Sequence, residues 1–172
     1  TITKVVDYAF KQCMALTEVN LPNCSTIGIE AFNSCYNMSI ISFPECTAIG
    51  GWAFNGNYSC LYNASFPKCT SIGSNAFANC YALSTVSFPS TAEINDYAFY
   101  NCSALSSIYC PSCTIIGSMA FYNCSNLSYA SFSSCSMVGG SAFRNCKSIS
   151  WISFPIAKYI NGQAFTGCDN LE

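Results

Sequence analysis

Residues 72–89, IGSNAFANCYALSTVSFP, contain the unit from which the chain is built, and residues 116–132, IGSMAFYNCSNLSYASF, repeat it. The dipeptide Ala-Phe marks the period. Its phenylalanine recurs at Phe10, Phe32, Phe54, Phe77, Phe99, Phe121, Phe143 and Phe165, always 22 residues apart except for 23 between Phe54 and Phe77. A fixed period of this length is typical of a solenoid, in which each unit buries its apolar edge only against its neighbours.

The last part of each unit is predicted to be a short strand. In residues 83–89, LSTVSFP, the apolar Leu83, Val86 and Phe88 lie on one side, with Ser and Thr between them. Pro89 then ends the strand because proline has no N–H for a ladder bond. Stacking such units buries a continuous apolar column that no single unit could bury alone.

The two other parts of the unit are predicted to be a turn and about one turn of helix. Gly73 and its equivalents are replaced by Asn in two units. Because Gly and Asn tolerate positive φ, we expect a left-handed backbone at this position. Ala76, Phe77 and Cys80 fall at i, i+1 and i+4, which is the spacing of one helical face.

The 23-residue unit carries its extra residue between Phe54 and Leu61. A one-residue insertion there predicts a local bulge in a turn, with the strand register intact afterwards. Cys60, directly before Leu61, is assigned to the repeat position that a cysteine occupies in the other units.

The repeat also accounts for the fourteen cysteines. Apart from Cys60, seven stand three residues after the phenylalanine of Ala-Phe and five stand three residues after the last inward strand residue. Cys110 replaces a core phenylalanine, so the spacing of Cys110 and Cys113 follows from the repeat and not from metal binding. We predict buried thiols with no disulfide and no metal. A zinc site needs four converging ligands, and equivalent cysteines of adjacent units point in parallel.

Composition excludes several classes of function. Charged residues are 8% of the chain, against about 25% in a typical domain. The six basic residues are scattered, which argues against nucleic acid as a partner, and no apolar run is long enough for membrane insertion. Histidine is absent and the eight acidic residues fall in separate places. We therefore expect neither an enzyme nor a cofactor.

Residues 16–24, LTEVNLPNC, match the leucine-rich-repeat pattern L-x-x-L-x-L-x-x-N/C. With its FP, C-T-x-I-G and A-F-x-N-C segments, the unit resembles the BspA-like (Treponema-type) leucine-rich-repeat family over the whole chain. The resemblance implies an α/β repeat solenoid, a right-handed coil with a parallel β-sheet on the concave face and short helical turns or extended segments on the other side. Residues 1–172 would form a single domain of about eight repeats.

The resemblance also implies a cell-surface or secreted protein that adheres to a host-matrix or cell-surface protein or glycan. The chain is expected to be a fragment of a longer protein, since it opens and stops inside the repeat. Open apolar ends and unpaired strand edges favour end-to-end self-association.

Candidate binding residues follow from the strand register. Its second, third and fifth positions face one surface and are mostly serine, but Tyr109, Tyr129 and Trp151 fall there in three consecutive units, with Tyr62 further along. Exposed aromatic rings are common anchors for protein or glycan partners. The alternative is that these rings pack across neighbouring strands and stabilise the sheet. In that case the chain is a structural stalk, or spacer, without a ligand of its own.

Overall fold

The computed structural model describes residues Thr1 to Glu172, in which fifteen strands of two kinds alternate. The two-residue strands are β1 Lys4–Val5, β3 Thr26–Ile27, β5 Ala48–Ile49, β7 Ser71–Ile72, β9 Glu93–Ile94, β11 Ile115–Ile116, β13 Met137–Val138 and β15 Tyr159–Ile160. The three-residue strands are β2 Glu18–Asn20, β4 Ile40–Ser42, β6 Asn63–Ser65, β8 Thr85–Ser87, β10 Ser107–Tyr109, β12 Tyr129–Ser131 and β14 Trp151–Ser153.

Every strand pairs in parallel with the equivalent strand of an adjacent coil. The two-residue strands form one eight-stranded sheet in the order β1-β3-β5-β7-β9-β11-β13-β15. The three-residue strands pair as β2-β4, β6-β8 and β10-β12-β14. Within the large sheet, for example, Ile116 lies between Ile94 and Val138, the equivalent residues of the two adjacent coils. The predicted solenoid of stacked, parallel coils is confirmed.

The segment around Ala-Phe is not helical, so the predicted helical turn is wrong. The chain contains no helix, and in residues 75–79 alternate N–H groups donate to carbonyl oxygens of the next coil. These donors are Asn75, Phe77 and Asn79, with N···O distances of 2.7 to 3.0 Å. Asn75 and Asn79 have φ of 58° and 60°, which a right-handed helix does not allow. Two residues per coil with left-handed backbone conformation produce a run of reverse turns. These turns continue the backbone hydrogen bonding between adjacent coils.

The glycine that follows each two-residue strand does not have the positive φ that we expected. The glycines with positive φ are Gly56 and Gly167, at other repeat positions. Gly73 instead lies against the preceding coil, where an added Cβ would be 2.6 Å from the carbonyl carbon of Gly50. At Asn95, which replaces this glycine in the next unit, Nδ2 donates to a carbonyl of the preceding coil at 2.9 Å. Close approach of successive coils therefore favours glycine here, and where asparagine replaces it a side-chain hydrogen bond joins the two coils.

Phenylalanine fills the core in two columns. The eight rings of the Ala-Phe dipeptides stack at centroid distances of 5.0 to 5.6 Å and interplanar angles of 11° or less. The second column, tilted against the first, consists of Phe43, Phe66, Phe88, Phe132 and Phe154. Buried Cys110 occupies the position between Phe88 and Phe132, as its place in the repeat predicts. Each coil thus completes the core of its neighbours.

Eleven of the fourteen cysteines are buried, which confirms the predicted burial. Cys13 is exposed, and Cys60 and Cys168 are partly exposed. The cysteine that follows Ala-Phe caps a carbonyl of the preceding coil; Cys102 Sγ, for example, donates to Phe77 O at 3.1 Å. Burial raises the pKa of Cys102 well above its ordinary value, because the thiolate is poorly solvated there. These thiols are small apolar groups that also supply one hydrogen bond.

The extra residue of the 23-residue unit is confined to one turn. Tyr58 stacks on Tyr36 and on Tyr81, with ring centroids 5.4 Å apart in both pairs. Leu61 is buried, and β6 pairs with β8 in the normal register. The insertion therefore lies between Tyr58 and Leu61, inside the predicted interval, and the register resumes after it as predicted.

Asn57, and not Cys60, takes the cysteine position of this unit. Asn57 is buried, and its Nδ2 donates at 3.1 Å to Phe32 O, the carbonyl that a thiol would otherwise cap. Cys60 is partly exposed, with Sγ 3.7 Å from Ser59 Oγ. Our assignment of Cys60 to the repeated position is therefore wrong, because Asn57 already stands three residues after Phe54, where the other units have cysteine.

Candidate functional site

The exposed side of the three-residue strands forms a surface that we call the strand face. In most of these strands the first and third residues are exposed and the middle residue is buried or half-buried, as Ser107, Ile108 and Tyr109 show in β10. Successive side chains of a strand point to opposite sides. The strand face therefore carries the residues that the sequence placed on it.

Serine hydroxyls on the strand face hold adjacent coils together. The hydroxyls of Ser84, Ser106 and Ser128 each donate to the carbonyl of the equivalent residue in the preceding coil, at 3.2, 3.2 and 3.1 Å. The hydroxyl proton is then occupied, and each oxygen keeps only acceptor capacity for a partner. The serines therefore serve mainly to join adjacent coils and offer only weak contacts to a partner.

The four aromatic residues proposed to bind a partner are all exposed. The exposed fractions are 53% for Tyr62, 59% for Tyr109, 42% for Tyr129 and 46% for Trp151. Tyr129 and Trp151 are direct partners in the register of β12 and β14. Their rings stack with centroids 4.5 Å apart and an interplanar angle of 6°. The structure therefore brings these two together into one aromatic surface.

Tyr109 and Tyr62 lie apart from this pair. Tyr109 is the partner of Ser131 in the register of β10 and β12, so it lies diagonal to Tyr129 and not opposite it. Its ring joins no stack. Tyr62 directly precedes β6, and its ring also joins no stack. The predicted cluster is thus a stacked pair, with one further ring on the adjacent strand and one at a distance.

The strand face carries almost no charge. Glu18 in β2 is the one charged side chain at the exposed strand positions. Electrostatic steering and charge complementarity therefore contribute little to recognition at this surface. Affinity for a partner would come mainly from ring contacts and neutral hydrogen bonds.

The chain shows no cluster of side chains suited to holding a metal ion, and its buried thiols are poor nucleophiles. No group of three or more His, Cys, Asp or Glu side chains converges. Burial raises the pKa of Cys69 to about 11 and that of Cys113 to about 12. Since the thiolate is the form that attacks electrophiles and binds metals, these thiols are inert at neutral pH. None of the segments forms a helix that is long and apolar enough to cross a membrane.

A second row of polar side chains, which the sequence analysis missed, lies on the turns. Asn79, Asn101, Asn123 and Asn145 form a ladder in which Nδ2 of each donates to Oδ1 of the one before, at 3.0, 3.0 and 2.9 Å. All four have positive φ, which asparagine tolerates. The signal in the sequence is asparagine two residues after the phenylalanine in four consecutive units. This spacing alone does not show whether the asparagines serve only the left-handed backbone or also form a ladder of amide hydrogen bonds.

Solved bacterial structures share this fold. A leucine-rich-repeat protein of T. pallidum superposes with a TM-score of 0.79 at 28% identity, over 86% of this chain and 71% of its own. One from Eubacterium ventriosum has a TM-score of 0.77 at 27% identity, over 88% and 43%. A leucine-rich cell surface protein of Faecalibacterium prausnitzii, at 21% identity and a TM-score of 0.58 over 99% and 63%, shows the fold alone. The chain spans less than two thirds of the last two proteins.

Sequence comparison leads to the same family. The profile of the BspA type leucine-rich-repeat region, in six copies, matches residues 1–92 and 57–172, which together cover the chain. No curated protein sequence is significantly similar. The repeat unit, the parallel coils and this match agree with the resemblance seen in the sequence. The chain belongs to the BspA-type leucine-rich-repeat family.

Proposed function

We propose that this chain is a non-catalytic binding module of a cell-surface or secreted protein. Its strand face would contact a host-matrix or cell-surface protein or glycan. The observation that carries the proposal is the stacked and exposed pair of Tyr129 and Trp151 on an otherwise polar, nearly uncharged surface. Tyr109 on the adjacent strand would extend the contact, and Tyr62 would add a more distant one.

Two kinds of group on the strand face can supply affinity, namely serine hydroxyls and aromatic rings. A neutral hydrogen bond from serine contributes about 0.5–1.5 kcal/mol net. Truncation of a buried aromatic anchor costs about 2 kcal/mol or more. Because Tyr129 and Trp151 already hold each other in place, their rings lose little freedom when a partner covers them. We therefore expect the aromatic residues to dominate binding.

The cellular location is part of the proposal. The F. prausnitzii protein with this fold is named a leucine-rich cell surface protein, and the other solved relatives are also bacterial repeat proteins. A chain with an uncharged face and no catalytic constellation is suited to presenting contacts outside a cell.

A structural stalk is the second candidate function. The stacking of Tyr129 on Trp151 also favours it, because a cross-strand aromatic pair stabilises a sheet by about 0.2–1 kcal/mol. In a stalk the rings serve only the sheet, and removing them lowers stability without affecting any ligand. The two candidates therefore predict opposite outcomes for the same variant.

The test is a binding screen of this chain against host-matrix proteins and a glycan array, followed by the triple variant Tyr109→Ser, Tyr129→Ser, Trp151→Ser. We expect affinity for any partner found to fall more than tenfold with little dependence on salt, while the thermal unfolding curve stays cooperative. Tyr36→Ser, on the turn side, is the matched control and should bind normally. A folded triple variant with full affinity would place the site elsewhere. A lowered unfolding temperature of the triple variant, with no partner found in the screen, would support the stalk.

A further inference from the structure

The residue that stands four positions after the phenylalanine of Ala-Phe forms a row along the turns, which we call the turn row. In chain order it reads Met14, Tyr36, Tyr58, Tyr81, Ser103, Ser125, Lys147 and Asp169. The three tyrosine rings stack on one another, with centroids 5.4 Å apart. The stack ends at Tyr81, because the next two positions are serine. One face of the Tyr81 ring is therefore covered by Tyr58, and no ring covers the other.

The end of this stack opens into a groove. Its volume is about 460 Å³. It is lined by Tyr81, by serine at the next two positions of the turn row, by Lys147 and by three members of the asparagine ladder, Asn101, Asn123 and Asn145. Binding sites for small molecules typically have volumes of about 300–1,000 Å³. From Tyr81 to Lys147 the row advances by three coils of about 4.8 Å, or roughly 14 Å. The groove is therefore long enough for a short, extended ligand.

The asparagine ladder provides hydrogen-bonding groups at fixed spacing. Asn101 and Asn123 each use one N–H and one lone pair within the ladder. A primary amide has two N–H groups and two acceptor sites, so each retains one of both kinds. Ser125 also lines the groove, and its hydroxyl adds another donor and acceptor. The groove thus offers alternating donors and acceptors, one set per coil.

The far end of the groove is positively charged. Lys147 is exposed and forms no ion pair; the ion pairs of the chain are Lys11–Glu30 and Lys68–Glu45. No carboxylate lines the groove. Asp169 is one coil further along the row, on the side of Lys147 away from Tyr81. A ligand in the groove therefore meets a free cation at one end.

We propose that this groove is a binding site for an acidic saccharide. A sugar ring has an apolar C–H face that packs on the open face of Tyr81. Its hydroxyl groups both donate and accept, and so match the free amide groups of Asn101 and Asn123. The carboxylate of an acidic sugar at the other end pairs with Lys147. This site lies on the turns and is independent of the strand face.

The experiment uses 3′-sialyllactose as the acidic probe and lactose as its neutral counterpart, each titrated into the whole chain by calorimetry and by NMR. We expect saturable binding of both, tighter for sialyllactose, with only the sialyllactose affinity weakened by salt. Tyr81→Ser should lower both affinities at least tenfold. Lys147→Ser should lower only the affinity for sialyllactose, by about threefold to tenfold. Tyr36→Ser, in the same stack but outside the groove, is the control and should change neither.

A second variant fills the groove instead of removing a contact. Ser103→Tyr adds a ring at the next position of the stack, which should leave the fold intact and abolish binding of both probes. Tyr129→Ser with Trp151→Ser should leave probe binding unchanged, so the groove and the strand face are tested separately. The proposal is overturned if neither probe binds at millimolar concentration, or if Tyr81→Ser and Ser103→Tyr bind normally. Equal, salt-independent affinity for both probes would overturn the acidic specificity.

Discussion

The buried cysteine column should make this protein unfold at alkaline pH. Cys80, Cys102, Cys124 and Cys146 occupy one repeat position in four consecutive coils and are fully buried. Burial raises the pKa of Cys80 to about 12 and also raises the pKa values of the other three, because the thiolate loses its solvation. In the unfolded chain the same thiols ionise near pH 9.0.

The sign and size of the effect follow from proton linkage. Above the unfolded pKa the unfolded chain has fewer bound protons than the folded one, so the free energy of unfolding falls as pH rises. The stability due to protonated, buried thiols is fully present below pH 9 and is lost as pH rises toward the folded pKa. Between pH 8 and pH 10 each thiol accounts for a loss of about 1.4 kcal/mol. These four thiols account for about 5.6 kcal/mol, as much as the whole stability of many domains, and the other buried cysteines with raised pKa values add to the loss.

Urea unfolding at pH 8 and pH 10, in the presence of reductant, measures this loss. The double variant Cys102→Ser, Cys124→Ser should lose about 2.8 kcal/mol less than the parent chain between the two pH values, since two of the buried thiols no longer titrate. Serine hydroxyls can still cap the carbonyls, as Thr91 does at another cysteine position, where its Oγ1 donates to a carbonyl at 2.8 Å. Cys60→Ser, at the partly exposed thiol of the insertion, is the control and should behave as the parent chain.

Two results would refute this reasoning. If the parent chain has the same free energy of unfolding at pH 8 and pH 10, the thiols are not buried as protonated groups. If the double variant loses as much stability as the parent, groups other than these thiols control the pH dependence. Because each chain is compared with itself at two pH values, any constant cost of the substitutions cancels.

Other predictions concern packing, thiols and assembly. Phe99→Ala should lower the free energy of unfolding by about 3–5 kcal/mol in urea, since Phe99 is buried and stacked on both sides. Gly73→Ala should cost about 1–3 kcal/mol, whereas Gly162→Ala, where a Cβ meets nothing within 4 Å, should be nearly neutral. Thiol labelling of the native chain at pH 8 should modify Cys13 and Cys60 first, and denaturation without reductant should release all fourteen. Sedimentation over a concentration series should detect end-to-end self-association, proposed from the open apolar ends.

Each of these four predictions can be contradicted by a specific result. A small effect of Phe99→Ala would mean that adjacent coils collapse into the cavity. Equal effects at the two glycines would mean that coil spacing is not what selects glycine. Recovery of only a few thiols would indicate disulfides, and a strictly monomeric chain at all concentrations would exclude self-association.

The period, the solenoid, the burial of the cysteines and the interval of the insertion were all predictable from sequence. In a repeat protein the neighbours of a residue lie one period before and after it in the sequence. The register between coils can therefore be obtained by aligning the repeats. Cys110 shows this well, because its alignment with core phenylalanines was enough to identify it as a core residue. The exposure of Tyr129 and Trp151 followed from the same register.

Only the tertiary structure decided features that depend on the distance and orientation between coils. The turns after Gly73 are not helical because their N–H groups reach carbonyls of the next coil. Spacing alone could not show that Asn57 caps a buried carbonyl in place of a thiol. Nor could it show that Tyr129 stacks on Trp151, or that asparagine amides line the groove next to Tyr81. A repeated sequence specifies which residues become neighbours, but the separation of the coils and the side-chain torsions determine which atoms meet.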